Sequence, residues 1–143
     1  MKKFLIATLL SCAFFVANAQ EINGVYMGKP VSDYHKILTR IDKDTYEVES
    51  TFMANTGKLS VTPDRHGKVA YMHYGFKKDM YMADIRIILK WLMKKYGDGF
   101  ELSPSSNQDF LMYNLIKNGV KHSIVISGNG EPKRMSFSML GGF

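Results

Sequence analysis

Few side chains in this sequence could take part in chemistry, and their spacing brings few of them together. The four histidines, His35, His66, His73 and His122, fall in none of the HxH or HExxH spacings that place two imidazoles on one face of an element. No GxSxG motif is present, and the serines lie in turns and on predicted strands. The sequence therefore predicts no metal site and no cofactor, and it shows no catalytic centre.

Two pairs of polar side chains do share a strand face. Glu47 and Glu49 alternate along a predicted strand, which places their carboxylates about 7 Å apart, a spacing that glycosidases use. Tyr71 and His73 alternate on another strand and could form half of an acid–base pair. The alternative for both pairs is an ordinary solvated strand face. These four residues are the candidates for a small glycan or peptide hydrolase.

The first 19 residues have the three parts of a cleavable signal peptide. Lys2 and Lys3 precede an apolar run over residues 4–16, and small residues occupy positions 17 and 19. The run is shorter than the roughly 20 residues that cross a bilayer, which argues against a transmembrane anchor. We therefore expect a mature chain that begins at Gln20 and a periplasmic or secreted location.

An alternative location follows from Cys12, the only cysteine of the chain. Leu9-Leu10-Ser11 loosely matches the box before the lipid-modified cysteine of bacterial lipoproteins, so an outer-membrane lipoprotein is the alternative. Lipidation would leave the apolar segment AFFVANA where lipoproteins usually carry a polar tether, and we therefore favour the soluble product. Its mature chain has no cysteine for a disulfide, a thiol nucleophile or a zinc ligand.

The 124 residues that follow the leader in this 143-residue chain fit one domain, 20–143, with a normal core. Without the two leader lysines, 17 of the 19 basic side chains remain against 13 acidic ones, a net charge of +4. Because this excess is mild and lacks arginine-rich runs, it argues against nucleic acid as a partner.

The segment Asp79–Gly97 keeps a helical period over several turns, as in a helix laid across a sheet. Asp79 is placed to cap the first turn, and Gly97 to supply the left-handed residue after the last one. The predicted buried arc comprises Tyr81, Met82, Ile85, Ile88, Leu89, Leu92, Met93 and Tyr96.

The opposite side of this helix carries Arg86, Lys90 and Lys94 at i, i+4 and i+8. Such a stripe is usually a solvated helix face. The functional alternative is contact with an anionic surface, such as the phosphates of outer-membrane lipid, or with an acidic envelope protein. If the stripe only solubilises the helix, the binding surface is expected on the sheet around Tyr71 and His73.

Ile87 and Trp91 lie one turn apart on a flank of the helix, outside the main apolar arc. One interpretation is that this flank packs against the first predicted helix, since a large aromatic side chain is seldom exposed on a monomer. The other is a partner-binding edge, because Trp is enriched among interface hot spots.

The remaining elements predict an α+β fold. A first helix is predicted after Ser32, and Asn23-Gly24 and Asn118-Gly119 predict tight turns. The apolar positions of this first helix are Tyr34, Ile37, Leu38 and Ile41. Strands are predicted near 46–53, 58–62, 68–76, 110–116, 122–126 and 135–139. These elements form two layers: one curved, mostly antiparallel sheet with both helices on one face.

The order of the elements also predicts an internal α-β-β-β duplication, since a helix and three strands occur twice. The alignment places Val61, in KLSVTPDRHGKVAYM, opposite Val125, in HSIVISGNGEPKRMSF. A turn and a further amphipathic strand follow each valine. The duplication predicts six strands in one sheet.

Four pieces of the chain carry a resemblance to a known group. They are the leader that ends ANAQ, the entry VYMGKPV at 25–31, the Phe52-Met53 strand and the segment KWLMKKYG at 90–97. Together they resemble the small exported domains of unknown function that are abundant in Bacteroides-type bacteria, which implies export and a similar architecture and leaves activity open. The duplicated outline is also similar to that of proteinaceous β-lactamase inhibitors, which carry disulfides.

Export and a core are the features that these patterns indicate. We therefore expect a non-enzymatic exported binding or interaction domain in the periplasm or at the cell surface, a class that includes inhibitors and immunity proteins. The alternatives are the small hydrolase and a lipid-anchored structural component of the envelope. A deep pocket that gathers two hydrolase candidates would favour the enzyme, and a shallow sheet face would favour the binder.

Exported material is expected to begin at Gln20, because the charge, apolar length and small residues of the leader match a cleavable signal. Intact mass and N-terminal sequencing of the exported product measure this. A product that begins at Cys12 with an added lipid mass would change the location from soluble to membrane-anchored.

Overall fold

The computed structural model describes residues 20–142, and most of its regular structure is strand. The strands are β1 (Glu21–Ile22), β2 (Val25–Tyr26), β3 (Thr39–Arg40), β4 (Tyr46–Phe52), β5 (Asn55–Pro63), β6 (Val69–Phe76), β7 (Glu101–Leu102), β8 (Phe110–Lys117), β9 (Val120–Ser127) and β10 (Arg134–Gly141). Eight of them form one sheet in the order β3-β4-β5-β6-β10-β9-β8-β7, with every neighbouring pair antiparallel. β1 and β2 form a separate hairpin.

The long predicted helix is present as α1 (Met82–Tyr96), which covers one face of the sheet. It buries Ile85, Ile88, Leu92 and Tyr96, whose spacing places them on one side of a helix. The sheet residues that share this core alternate along their strands, and they include Leu59, Val61, Met72, Tyr74, Phe76, Ile124, Ile126, Met135, Phe137 and Met139. The intervening side chains lie on the other face of the sheet.

The helix begins later than predicted, and Asp79 does not cap it. Met80 exchanges two backbone hydrogen bonds of 2.8 Å with Lys133, which keeps the chain extended up to the N-cap residue Tyr81. The Asp79 carboxylate instead lies 3.3 Å from the Arg134 guanidinium. Tyr81, which was predicted in the buried arc, is exposed.

The first predicted helix is wrong. Val31–Tyr34 forms a 3-10 turn, and Ile37 and Ile41, which were to line the buried side of a helix, are exposed. The chain after this turn joins the sheet instead, because β3 pairs with the start of β4 and the Ile41 N–H donates to the Thr45 carbonyl at 2.9 Å. The edge of the sheet therefore uses backbone groups that a helix would have needed.

The fold is therefore mostly β with a single α-helix among residues 20–142, and the predicted α+β fold with two helices is wrong. The sheet has eight strands rather than six, because β3 and β7 have two residues each, too few for alternation to reveal. The strand order is symmetric about the β6–β10 pair, but a 3-10 turn precedes one set of four strands and α1 the other.

The alignment behind the predicted α-β-β-β duplication is also wrong. Val61 is fully buried on the face that α1 covers. Val125 lies between the buried residues Ile124 and Ile126 and therefore points to the opposite face. A shift of one residue in a strand exchanges its two faces, so the aligned valines are not equivalent.

The N-terminal hairpin is held against the end of α1 through Glu21. Its backbone carbonyl accepts a hydrogen bond of 2.6 Å from the Tyr96 hydroxyl, and its carboxylate pairs with the Lys95 ammonium. Ile22 and Val25 of the hairpin are buried in the core. Burial and, second, the negative charge of Glu21 raise the pKa of Tyr96, so the phenol stays a neutral donor.

Replacing Ile85 or Leu92 with Ala is expected to lower the free energy of unfolding by about 2–5 kcal/mol. The reason is that these side chains are 0% and 1% exposed, so each change leaves a cavity in the core. Chemical denaturation of the mature protein measures the effect.

Ile87→Ala is the matched control for these substitutions, because Ile87 lies on the same helix and is 60% exposed. Its expected effect is within about 0.5 kcal/mol. Equal effects at Ile85, Leu92 and Ile87 would contradict the orientation of α1 on the sheet.

Candidate functional site

The sheet face that points away from α1 carries the first candidate site, a set of cross-strand neighbours that we call the polar row. The row contains one polar side chain from each of the eight strands, and none of the eight is buried. Its members, in strand order, are Thr39, Glu47, Ser60, His73, Ser138, Ser123, Asn114 and Glu101. Seven strand spacings of about 4.8 Å make the row about 34 Å long.

The two glutamates that were candidates for hydrolysis pair with lysines. Glu47 lies 3.3 Å from the Lys58 ammonium, and Glu49 lies 2.5 Å from that of Lys77. The hydrogen bond from Lys77 is the main cause that lowers the pKa of Glu49. A glycosidase acid needs the opposite, a carboxyl whose pKa is raised. Glu49 therefore does not suit the role of a general acid.

The other two hydrolase candidates, Tyr71 and His73, share the open face, as their alternation predicted. His73 lies at the centre of the polar row between Ser60 and Ser138, and Tyr71 lies one row away along β6. Glu47 is two strands from His73, about 10 Å by strand spacing. Two cavities, of about 390 and 380 Å³, are lined by none of the four candidates. The candidates are therefore spread over a shallow surface.

The polar row ends at the larger of these cavities, which we call the edge cavity. It lies where the chain leaves the ladder, since β7 pairs with β8 only at Glu101–Asn114 and Leu102–Tyr113. The lining includes the polar residues Glu101 and Asn114 and the apolar residues Leu102, Pro104, Leu115 and Ile116. The Ser123 hydroxyl donates to Asn114 Oδ1 at 2.7 Å, which leaves the amide N–H groups of Asn114 for another acceptor.

The second candidate site is the outer face of α1. Arg86, Lys90 and Lys94, which we call the basic stripe, are all exposed along it. No carboxylate in the described range 20–142 forms an ion pair with any of the three. Within this range, their positive charges therefore face solvent.

Ile87 and Trp91 lie beside the basic stripe. The Trp91 ring meets the Phe52 ring edge-on, with centroids 5.0 Å apart, and the Lys95 ammonium lies 5.2 Å from the centroid of the indole. Phe52 of β4 thus makes the packing contact that one interpretation had assigned to the first helix. The indole is held on one side while 38% of the residue remains exposed.

The remaining histidines do not add a site. His122 is buried in the core, where its ring centroid lies 5.3 Å from that of Tyr96 and 6.3 Å from that of Phe137. His35 and His66 are exposed outside the sheet. Within the part of the chain that the structure describes, no group of three or more His, Cys, Asp or Glu side chains is placed to hold a metal ion.

No protein-family model, curated protein or solved structure matches the chain. The resemblance to small exported domains therefore stays a prediction. Among the helices of residues 20–142, none is both long and apolar enough to cross a membrane.

The sequence did not single out Ser60, Ser123, Ser138, Asn114 or Glu101. The first four occupy polar positions in alternating strands, and that alternation is the signal that could have placed them on the open face. The register that aligns them across the sheet depends on long-range pairing, which a local pattern does not contain. Glu101 belongs to a two-residue strand without a periodic signal.

The pKa of His73 is expected below the ordinary value of 6.5, because burial disfavours the charged ring. Its cross-strand neighbours Ser60 and Ser138 carry no charge that would favour protonation. Since the unfolded chain then binds the proton more readily, this group lowers stability as the pH falls from about 6.5 through the folded pKa.

Titration of the imidazole signals by NMR measures this pKa, and a His73→Gln variant assigns the signal. The same variant should lose this part of the acid destabilisation in denaturation experiments between pH 7 and pH 5. A measured pKa at or above 6.5 would show that burial does not dominate the environment of His73.

Proposed function

We propose that the protein is a non-enzymatic binding domain that acts outside the cytoplasm and docks on an anionic lipid surface through the outer face of α1. The basic stripe carries this proposal. Arg86, Lys90 and Lys94 are exposed and, within residues 20–142, without an ion-pair partner, and they lie beside the exposed side chains of Ile87 and Trp91.

Charge supplies the attraction in this proposal. The three cations span about 12 Å of helix and attract anionic headgroups over about one Debye length, near 8 Å at physiological salt. Each basic side chain close to an anionic membrane contributes about 1 kcal/mol. Weak binding that salt disrupts is therefore the expected behaviour.

Ile87 and Trp91 favour a lipid surface over an acidic protein as the partner. An interfacial helix combines cations with apolar and aromatic side chains on its membrane-facing side. The indole of Trp91 suits the headgroup region, because its ring is apolar and its N–H is polar. The Phe52 contact holds this indole in place, so docking orders few side chains.

The hydrolase alternative finds less support on the open face. Glu47 and Glu49 have their own lysine partners, and neither the cavity of about 390 Å³ nor that of about 380 Å³ is lined by Tyr71 or His73. A shallow polar face suits binding better than catalysis. The proposal of export, and the lipid-anchored alternative through Cys12, rest on the leader, which lies outside the described residues.

The mature protein is expected to bind vesicles of phosphatidylcholine and phosphatidylglycerol more strongly as the anionic fraction rises, and to dissociate as salt increases. Trp91 is the only tryptophan of the chain, so its fluorescence reports directly on the proposed contact. A shift of its emission to shorter wavelength should accompany binding. Flotation with the vesicles provides an independent measure.

Two matched variants test whether the position of the charges, and not only their number, determines vesicle binding. One replaces Arg86, Lys90 and Lys94 with Gln, and the other makes the same change at Lys36, Lys43 and Lys68, which are exposed outside α1. We expect the first variant to lose vesicle binding and the second to retain most of it. Equal behaviour of the two variants at every salt concentration would reject the basic stripe as the docking surface.

Two further outcomes would replace the proposal. Salt-sensitive retention on lipid-free acidic envelope proteins, without vesicle binding, would assign the stripe to a protein partner. Turnover of a glycan or peptide substrate that is lost in Glu47→Gln or His73→Gln would establish the hydrolase instead.

A further inference from the structure

We infer that the open face of the sheet binds a neutral, unbranched oligosaccharide along the polar row, with one end of the sugar chain in the edge cavity. The polar row lies on the face opposite α1, and the edge cavity lies at the β7–β8 edge of the sheet. This site goes beyond the proposed lipid contact, and either surface could function without the other.

The edge cavity offers a donor and an acceptor side by side. Glu101 and Asn114 are direct cross-strand partners, so their Cβ atoms lie about 5 Å apart. The hydrogen bond from Ser123 occupies Asn114 Oδ1 and leaves the amide of Asn114 as a donor. Glu101 is exposed, has no ion pair within the described residues, and accepts through its carboxylate. Adjacent hydroxyls of a sugar can satisfy both groups, one as donor and one as acceptor.

The apolar part of the cavity suits the C–H surface of a sugar ring. Ile116 is a large exposed apolar side chain on the same face of β8 as Asn114. Leu102 and Leu115 alternate with Glu101 and Asn114, so they line the cavity from the other side of the sheet edge. The volume of about 390 Å³ falls within the range of about 300–1,000 Å³ for small-molecule sites. A ligand that is polar at its edges and apolar on its face matches this lining.

The centre of the polar row can continue these contacts along a sugar chain. Ser60, His73 and Ser138 are adjacent across three strands, and their side chains make no hydrogen bond within the part of the chain that the structure describes. Hydroxyls and a neutral imidazole each donate and accept, as sugar hydroxyls do. A row of about 34 Å that runs across the strands fits a long, linear ligand.

The open face carries charges of both signs, because Lys121 lies on it between the buried residues Val120 and His122, and Glu101 lies at the end of the polar row. A ligand without net charge suits such a face. Glu47 and Glu49 are neutralised by Lys58 and Lys77, so neither offers a free charge to a ligand. Glu101 keeps its negative charge in the edge cavity and would repel a phosphorylated or uronic sugar. A neutral sugar hydroxyl instead forms a charge-assisted hydrogen bond with this carboxylate.

The test uses the mature protein, labelled with ¹⁵N, and unbranched hexasaccharides of α-1,4-glucose, β-1,4-glucose, β-1,4-mannose, β-1,4-xylose and β-1,4-N-acetylglucosamine. At least one hexasaccharide should shift the amide signals of Glu101, Asn114, Ser123 and Ser138. Its disaccharide should bind more weakly, because it reaches only part of the row. Calorimetry of the same pair measures the two affinities.

Glu101→Gln is expected to weaken binding about tenfold or more, because it replaces a charge-assisted hydrogen bond by a neutral one. Asp33→Asn is the matched control, since Asp33 is an exposed carboxylate in the 3-10 turn and is expected to leave affinity unchanged. Melting temperatures of both variants verify that each remains folded.

Several results would overturn the inference. They are the absence of shifts with all five hexasaccharides, shifts confined to α1, and equal affinities of wild type and Glu101→Gln. Vesicle binding that persists in such a case would leave the proposed lipid contact intact, so the two ideas fail separately. Tighter binding of an anionic oligosaccharide than of its neutral counterpart would also contradict the charge argument.

Discussion

The packing of one helix on one face of the sheet is the interaction on which the rest of the structure depends. The Tyr96 ring stacks on Phe137, with centroids 4.9 Å apart, while Ile85 and Leu92 are buried in the core. Each such buried side chain contributes about 1.5–3 kcal/mol. Residues 20–142 contain no cysteine, so no disulfide supplements this core. Among residues 20–142, the single α-helix covers one face of the sheet, and the other face carries the polar row.

Local chemistry was enough to predict the features that involve a few neighbouring residues. Gly97 ends α1 with a φ of +138° and an N–H bond of 3.0 Å to Met93, and Asn23-Gly24 turns the first hairpin with positive φ at both residues. The first helix was predicted because the spacing of Ile37 and Ile41 fits a helical period of 3.6 residues. Both side chains are exposed in the structure, because pairing with the sheet outweighs the local helical pattern. The conformation of this segment is determined by the pairing of β3 with β4, and the local sequence pattern does not indicate that pairing.

The two candidate sites also differ in whether they depend on local sequence or on long-range strand pairing. The basic stripe follows from helical period alone, so the sequence is enough to place Arg86, Lys90 and Lys94 on one face. Prediction of the polar row requires the register of seven strand pairs. The sequence pattern therefore could not show that Asn114 and Glu101 are cross-strand neighbours. The two surfaces point in opposite directions, and a domain that rests on a membrane through α1 would present its sheet outward.

The position of β10 has a consequence for how the chain folds. β10 is the last described strand, yet it lies in the middle of the sheet and joins β6 to β9. Phe137 of β10 pairs with Tyr74 of β6, which lies 63 positions earlier in the chain. The central pairing is therefore a long-range contact that forms slowly compared with local hairpins. The two sets of hairpins can form early, but they become one sheet only when β10 is present. If the chain crosses a membrane from its N-terminus, every residue up to and including β10 must therefore cross before this core can close.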